Sequence, residues 1–133
     1  MYTREQLQGI LLTIARPEVT IYSSGKNKTG YTVRLRIMFR ANRVFLNALE
    51  RTFEQNNIKC IVRDVEGVNR MRPILIVGKR QSIRNLRNLI PNNVPKSHSD
   101  WYVFDTILEG LENGEHLEDE GMRTMLELVR GNG

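Results

Sequence analysis

A chain of 133 residues and 15.5 kDa is long enough for one domain and too short for two ordinary ones. Its apolar content of 40% can build a core, no apolar run is long enough to span a bilayer, and a single cysteine, Cys60, excludes an internal disulfide or a cysteine-cluster zinc site. Charge is lopsided: the net is +5 with 15 arginines among 20 basic residues, but residues 1–98 hold 18 Lys+Arg against 6 Asp+Glu and residues 99–133 hold 2 against 9. A basic body with an acidic C-terminal segment points to one surface for a polyanion and another that is not. The N-terminus lacks the apolar stretch of a secretory signal, so an intracellular setting (cytoplasm, nucleoid or organelle matrix) without a membrane partner is expected.

Thr3-Arg4-Glu5-Gln6 has the spacing of a capping box, and Leu7, Ile10, Leu11 and Ile14 follow at helical spacing, so the first helix is expected over about 3–15, stopped by Pro17. Val19 to Tyr22 alternates as a strand, and the stretch from Gly25 to Gly30 is a turn. Residues 31–40 give the clearest strand, with Tyr31, Val33, Leu35, Ile37 and Phe39 on one face and Thr32, Arg34, Arg36, Met38 and Arg40 on the other. Asn42 can cap a helix carrying Phe45, Ala48, Leu49 and Phe53 that ends near Asn56. A second hairpin is expected from strands over 58–65 and 70–77 around a turn at 66–69. Ser82 is the expected start of a short helix with Ile83, Leu86 and Ile90. Pro91 and Pro95 mark a loop, Ser99 caps a helix that stops at Gly114, and a last helix from about Glu118 carries Met122, Met125, Leu126 and Val129.

The order αββαββα, plus C-terminal helices, predicts a single α+β domain over 1–133: a basic body over 1–98 and acidic helices over 99–133, with a four-stranded antiparallel sheet covered by helices on one face. The other face is rich in arginine. Like charges at i, i+2 repel, so a row of arginines along one strand is an unusual way to meet water alone. Thr20, Tyr22 and Ser24 extend this face on the first strand, with Thr32, Arg34, Arg36 and Arg40 on the second. Lys59 and Arg63 add to it on the third, Arg70 and Arg72 lie around the fourth, and Lys26 and Lys28 sit in the turn. A twisted ribbon with this lining suits the major groove of duplex DNA, where arginine donates two hydrogen bonds to guanine and Tyr, Thr and Ser read mixed edges.

Leu7-Gln8-Gly9-Ile10-Leu11-Leu12-Thr13-Ile14-Ala15, running into Arg16-Pro17-Glu18-Val19-Thr20-Ile21, resembles a degenerate LAGLIDADG helix leading into its first strand. The stretches 31–39, 43–55 and 72–78, and His116-Leu117-Glu118-Asp119-Glu120-Gly121-Met122, are similar to the same homing endonuclease family, so the resemblance covers nearly the whole chain. It implies a saddle of antiparallel strands over the DNA and a homodimer with the motif helices at the two-fold axis. That would place Leu7, Gly9, Ile10 and Thr13 at the interface, where close helix packing needs small side chains such as Gly9 and Thr13.

The family holds a divalent metal on an acidic residue at the bottom of the motif helix. The matching position here is Ile14, and the other acidic motif position is Leu12. Hydrocarbon cannot ligate Mg²⁺, which needs hard oxygen donors. Glu18 and Lys96 are the remaining catalytic candidates. Lys96 stands where the family often places a basic residue near the cleavage site; Glu18, the nearest acid, lies beyond Pro17 on the strand. The expectation is therefore a DNA-binding homodimer with no cofactor and no nuclease activity. An active, Mg²⁺-dependent homing endonuclease and an RNA-binding, maturase-like component are the alternatives. His98 and His116 are too far apart to read as a metal pair, and no phosphate-loop, dinucleotide or zinc-protease signature is present.

Overall fold

The computed structural model describes residues 2–89 and 99–131. Its elements are α1 (Arg4–Ile14), β1 (Arg16–Ser23), β2 (Tyr31–Arg40), α2 (Arg43–Gln55), β3 (Ile61–Arg63), β4 (Ile74–Val77), α3 (Arg80–Leu89), α4 (Ser99–Glu112) and α5 (Asp119–Gly131), with a 3-10 turn over Glu115–Leu117 between the last two. The strands form one antiparallel sheet in the order β1-β2-β4-β3, an α+β architecture with the expected succession of elements. No helix among the described residues is long and apolar enough to cross a membrane.

By internal contacts the described residues form two compact units, one of residues 2–16 with 36–89 and one of residues 17–35 with 99–131. In the first, the capping box closes as the spacing predicts: Gln6 N–H donates to Thr3 Oγ1 and Thr3 N–H to the Gln6 side chain. Leu7, Leu11 and Ala15 then fall on one stripe and are buried. Asn42 caps α2 through Phe45 N–H at 2.8 Å. The helix buries Leu46, Leu49, Thr52 and Phe53, whereas Phe45 and Ala48 are only half-buried. Phe53 meets Phe39 of β2 edge to face at 5.4 Å, so α2 covers the side of the sheet that carries Ile37 and Phe39. Asn57, with φ of 60°, turns the chain out of α2.

The second hairpin departs from expectation. β3 and β4 are three and four residues long, because the segment between them curls into its own closed turn. Glu66 N–H donates to the Arg72 carbonyl, and Gly67 and Arg70 exchange backbone hydrogen bonds at 3.2 Å, leaving Val68-Asn69 as the tip. Ser82 does not cap α3, which begins two residues earlier. Instead it is buried, and its hydroxyl accepts the Lys59 N–H at 2.9 Å.

In the second unit, Ser24 N–H donates to the Gly30 carbonyl across the β1–β2 turn, and Gly30 takes a φ of 82°. The helical part of this unit buries Phe104, Ile107, Leu108 and Leu111 of α4 with Met122 and Met125 of α5. Gly121 is a point of close approach, since a Cβ there would collide with the Glu115 carbonyl.

Candidate nucleic-acid interface

Alternation along β2 brings its arginines outward. Arg34 is exposed, Arg36 and Arg40 are half-buried, and Leu35, Ile37 and Phe39 between them are buried. On the adjacent hairpin strand, Glu18 and Thr20 share a face. Thr20 Oγ1 donates to Glu18 Oε1 at 3.5 Å, and Arg34 Nη2 lies 3.8 Å from the same oxygen. Tyr22 is 46% exposed, and Lys26 and Lys28 stand in solvent in the turn. Ser24 Oγ accepts the Lys26 N–H, and Thr32 Oγ1 accepts from Asn27, whose amide also holds the Tyr31 carbonyl. The two hydroxyls thus fasten the turn.

In the first unit the register sets which side chains share a face. Met38 opposes Ile76, which opposes Ile61, and Arg40 opposes Ile74, which opposes Arg63. This face is therefore not uniformly polar. Met38, assigned with the arginines by alternation alone, is buried in an apolar patch with Ile74 and Ile76. Beside the patch lies an open recess of about 820 Å³ whose rim carries Arg36, Lys59, Arg63 and Lys79, with Ile58 and Ile61 as apolar lining. Cys60 also borders it. Burial, then the charges of Glu50 and Glu54, push its thiol from 9.0 up to about 12.

Arg40 points to the same side as Arg36 along β2, but its side chain is only 22% exposed and grips a carboxylate that the sequence left in a turn. Its Nε and Nη2 donate to Oε1 and Oε2 of Glu66 at 2.7 and 3.0 Å. Arg70 Nη1 donates to Oε2 at 3.2 Å, and Arg72 Nε stands 3.9 Å from Oε1. Glu66 is thus the hub of three arginines, and the hydrogen bond from Arg40 leads in drawing its carboxyl down from 4.5 to about 2. Its only trace in the sequence is that it is one of just two acids, with Asp64, between Arg63 and Arg72; Asp64 pairs with Arg43 at 3.1 Å.

Of the four residues assigned to a dimer face, Leu7 needs correcting: its side chain is 3% exposed and belongs to the chain's own interior. Gly9 and Thr13 are exposed, Ile10 is half-buried, and Leu12, left out of that set, is 48% exposed. Lys96 lies outside the described residues. The residues at the end of α1 do not fit the divalent metal that the resemblance implies. Leu12 and Ile14 offer no oxygen donor, Glu18 lies beside Arg34 on β1, and among the described residues no three His, Cys, Asp or Glu side chains gather as a metal site.

A helix leading into a hairpin, a second helix and hairpin, further helices, and a four-stranded antiparallel sheet make up the LAGLIDADG homing endonuclease fold. Among solved structures, the chain is similar to the homing endonuclease I-TnaI, with a TM-score of 0.77 at 23% identity over 96% of this chain and 85% of that one. It is also similar to I-Vdi141I, an archaeal intron-encoded homing endonuclease complexed with DNA, with a TM-score of 0.74 at 18% identity over 96% and 80%. Against the LAGLIDADG meganuclease I-CpaMI, bound to uncleaved DNA, the TM-score is 0.76 at 14% identity over 96% of this chain, which spans only 43% of that longer one. No family model matches the sequence, and no curated protein matches it.

Proposed function

We propose that this protein binds duplex DNA through the basic residues of its strands, as a homodimer, and does not cut it. The observation that carries the reading is β2: Arg34 and Arg36 occupy outward positions while Leu35 and Ile37 beside them are buried, and Arg40 further along the strand is held by Glu66. Guanidinium groups fixed on a strand are suited to base edges, and the lysines of the hairpin turn and of the recess rim are suited to phosphates. DNA in the solved structures of I-Vdi141I and I-CpaMI, which share this fold, supports the choice of partner. Leucine and isoleucine at the two acidic positions of the motif helix support the absence of hydrolysis, because a metal-bound phosphodiester needs carboxylate ligands there. The exposed Gly9, Leu12 and Thr13 on α1 support pairing through that helix.

The test is a selection from random duplexes with and without Mg²⁺ or Mn²⁺, followed by gel inspection for strand breaks. Recovery of a pseudo-palindromic site, salt-sensitive binding and intact strands are expected. Metal-dependent scission abolished by Glu18→Gln would replace this reading with an active nuclease. Tighter binding to structured RNA at matched salt would move it to the RNA alternative.

A further inference from the structure

The hairpin between β3 and β4 carries an arrangement that a purely electrostatic DNA grip does not need. A carboxylate near a polyanion lowers affinity, yet Glu66 sits among Arg40, Arg70 and Arg72 and cancels one of their charges. What it supplies in return is position. Arg40 holds Glu66 through two hydrogen bonds from a side chain that is itself 22% exposed, which makes this pair an anchor. Arg70 and Arg72, at 60% and 61% exposure, are the members that reach outward, and each is drawn to the anchored carboxylate. The backbone supports the same arrangement: Glu66 N–H closes on Arg72, and the Gly67–Arg70 pair closes the tip. Because its carboxyl is drawn down to about 2, Glu66 keeps its charge in any ordinary buffer.

Phosphate contacts tolerate a mobile guanidinium, because a phosphate accepts from many directions. A base edge does not, since two donors must meet two fixed acceptors in one plane. Arginines restrained before binding also lose less freedom when they bind. We infer that Glu66 is a positioning residue for sequence readout: anchored by Arg40, it orients Arg70 and Arg72 so that the 66–72 hairpin reads base pairs and does more than add charge. This rests on the DNA-binding reading above.

The experiment uses the full chain and a duplex recovered by selection with the wild-type protein. Binding to that duplex and to a scrambled duplex of the same length is measured at fixed salt for wild type, Glu66→Gln, Arg70→Ala with Arg72→Ala, and all three changes together. Glu66→Gln is expected to lower the ratio of selected to scrambled affinity at least tenfold, through loss on the selected site. In the double-arginine background the same change is expected to alter the ratio less than twofold. A repeat selection with Glu66→Gln should lose preference at the base pairs where the arginine variant loses it. Equal change on both duplexes, an undiminished effect without the two arginines, or an unaltered selected sequence would each overturn the inference. Should Glu66→Gln not fold, Glu66→Asp keeps the charge, shortens the reach and should still lower the ratio; a wild-type ratio there would overturn the inference too. Failure of the wild-type protein to enrich any duplex would instead defeat the DNA-binding reading, so the two failures are distinguishable.

Discussion

Replacing Gly9 separates the fold of one chain from the association of two. Gly9 is a mid-helix residue of the eleven in α1, it is exposed, and a Cβ built on it meets nothing within 4 Å. In an isolated chain, Gly9→Ala therefore removes only glycine's backbone freedom and should stabilise by about 0.5–1 kcal/mol. For a domain of this size that is a rise in Tm of about 2–5 °C. Gly9→Leu should also fold, since its side chain projects into open space. At a two-fold helix contact, however, it would be inserted twice. Overpacking at about 1–3 kcal/mol per side chain sums to about 2–6 kcal/mol per dimer, a weakening of about 30-fold to more than 10⁴-fold. Sedimentation velocity of the free protein and of its complex with a palindromic duplex reads the association, and thermal melting of dilute protein reads the fold. An unchanged dimer constant for Gly9→Leu would refute α1 as the pairing face. A loss of Tm in Gly9→Ala below the dimer constant would refute the open surroundings of Gly9.

Arg36→Ala should weaken the selected duplex by about 1–3 kcal/mol and leave a scrambled duplex nearly unaffected, as read by paired titrations; equal losses would reduce Arg36 to a phosphate contact. Stability should fall in acid through Glu66. Between 4.5 and about 2 the unfolded carboxyl binds a proton that the folded one refuses, so its contribution is present above about pH 4.5 and is lost as pH falls toward 2. Denaturant midpoints from pH 7 to 2 should show a shallower acid limb in Glu66→Gln, and an identical limb would disprove the linkage. With its thiol raised from 9.0 to about 12, Cys60 should carry about a thousandfold less thiolate at pH 8 in the native protein than when unfolded, so alkylation should be slow until denaturant is added. Equally rapid labelling of both states would contradict that shift.

Local chemistry made much of the fold legible. Thr3 with Gln6, Asn42 and the alternation of β2 each determine their structure within a few residues, so the elements they start were predictable. What failed depended on contacts that periodicity does not encode, most of them with partners distant in sequence. Met38 alternates with the arginines, yet Ile76 opposite it makes its surroundings apolar. Arg70 to Val77 reads as one extended strand until Glu66, Gly67 and Arg70 close on themselves and shorten it. Ser82 has the chemistry of a cap but is used by Lys59, 23 residues away. The site divides in the same way. Outward placement of Arg34 and Arg36 follows from strand periodicity, whereas the role of Arg40 depends on a carboxylate 26 residues further on that has no pattern of its own.

The close approach at Gly121 limits how this protein can diverge. Glu118, Asp119 and Glu120 are exposed and could be traded for neutral residues one at a time with little effect on folding. Position 121 has no such latitude, because even a methyl group would pry the α5 start away from the Glu115 carbonyl. Sequence drift in the acidic segment is thus free in sign and narrow in volume, and a descendant with a neutral or basic tail should still carry hydrogen alone at that spot.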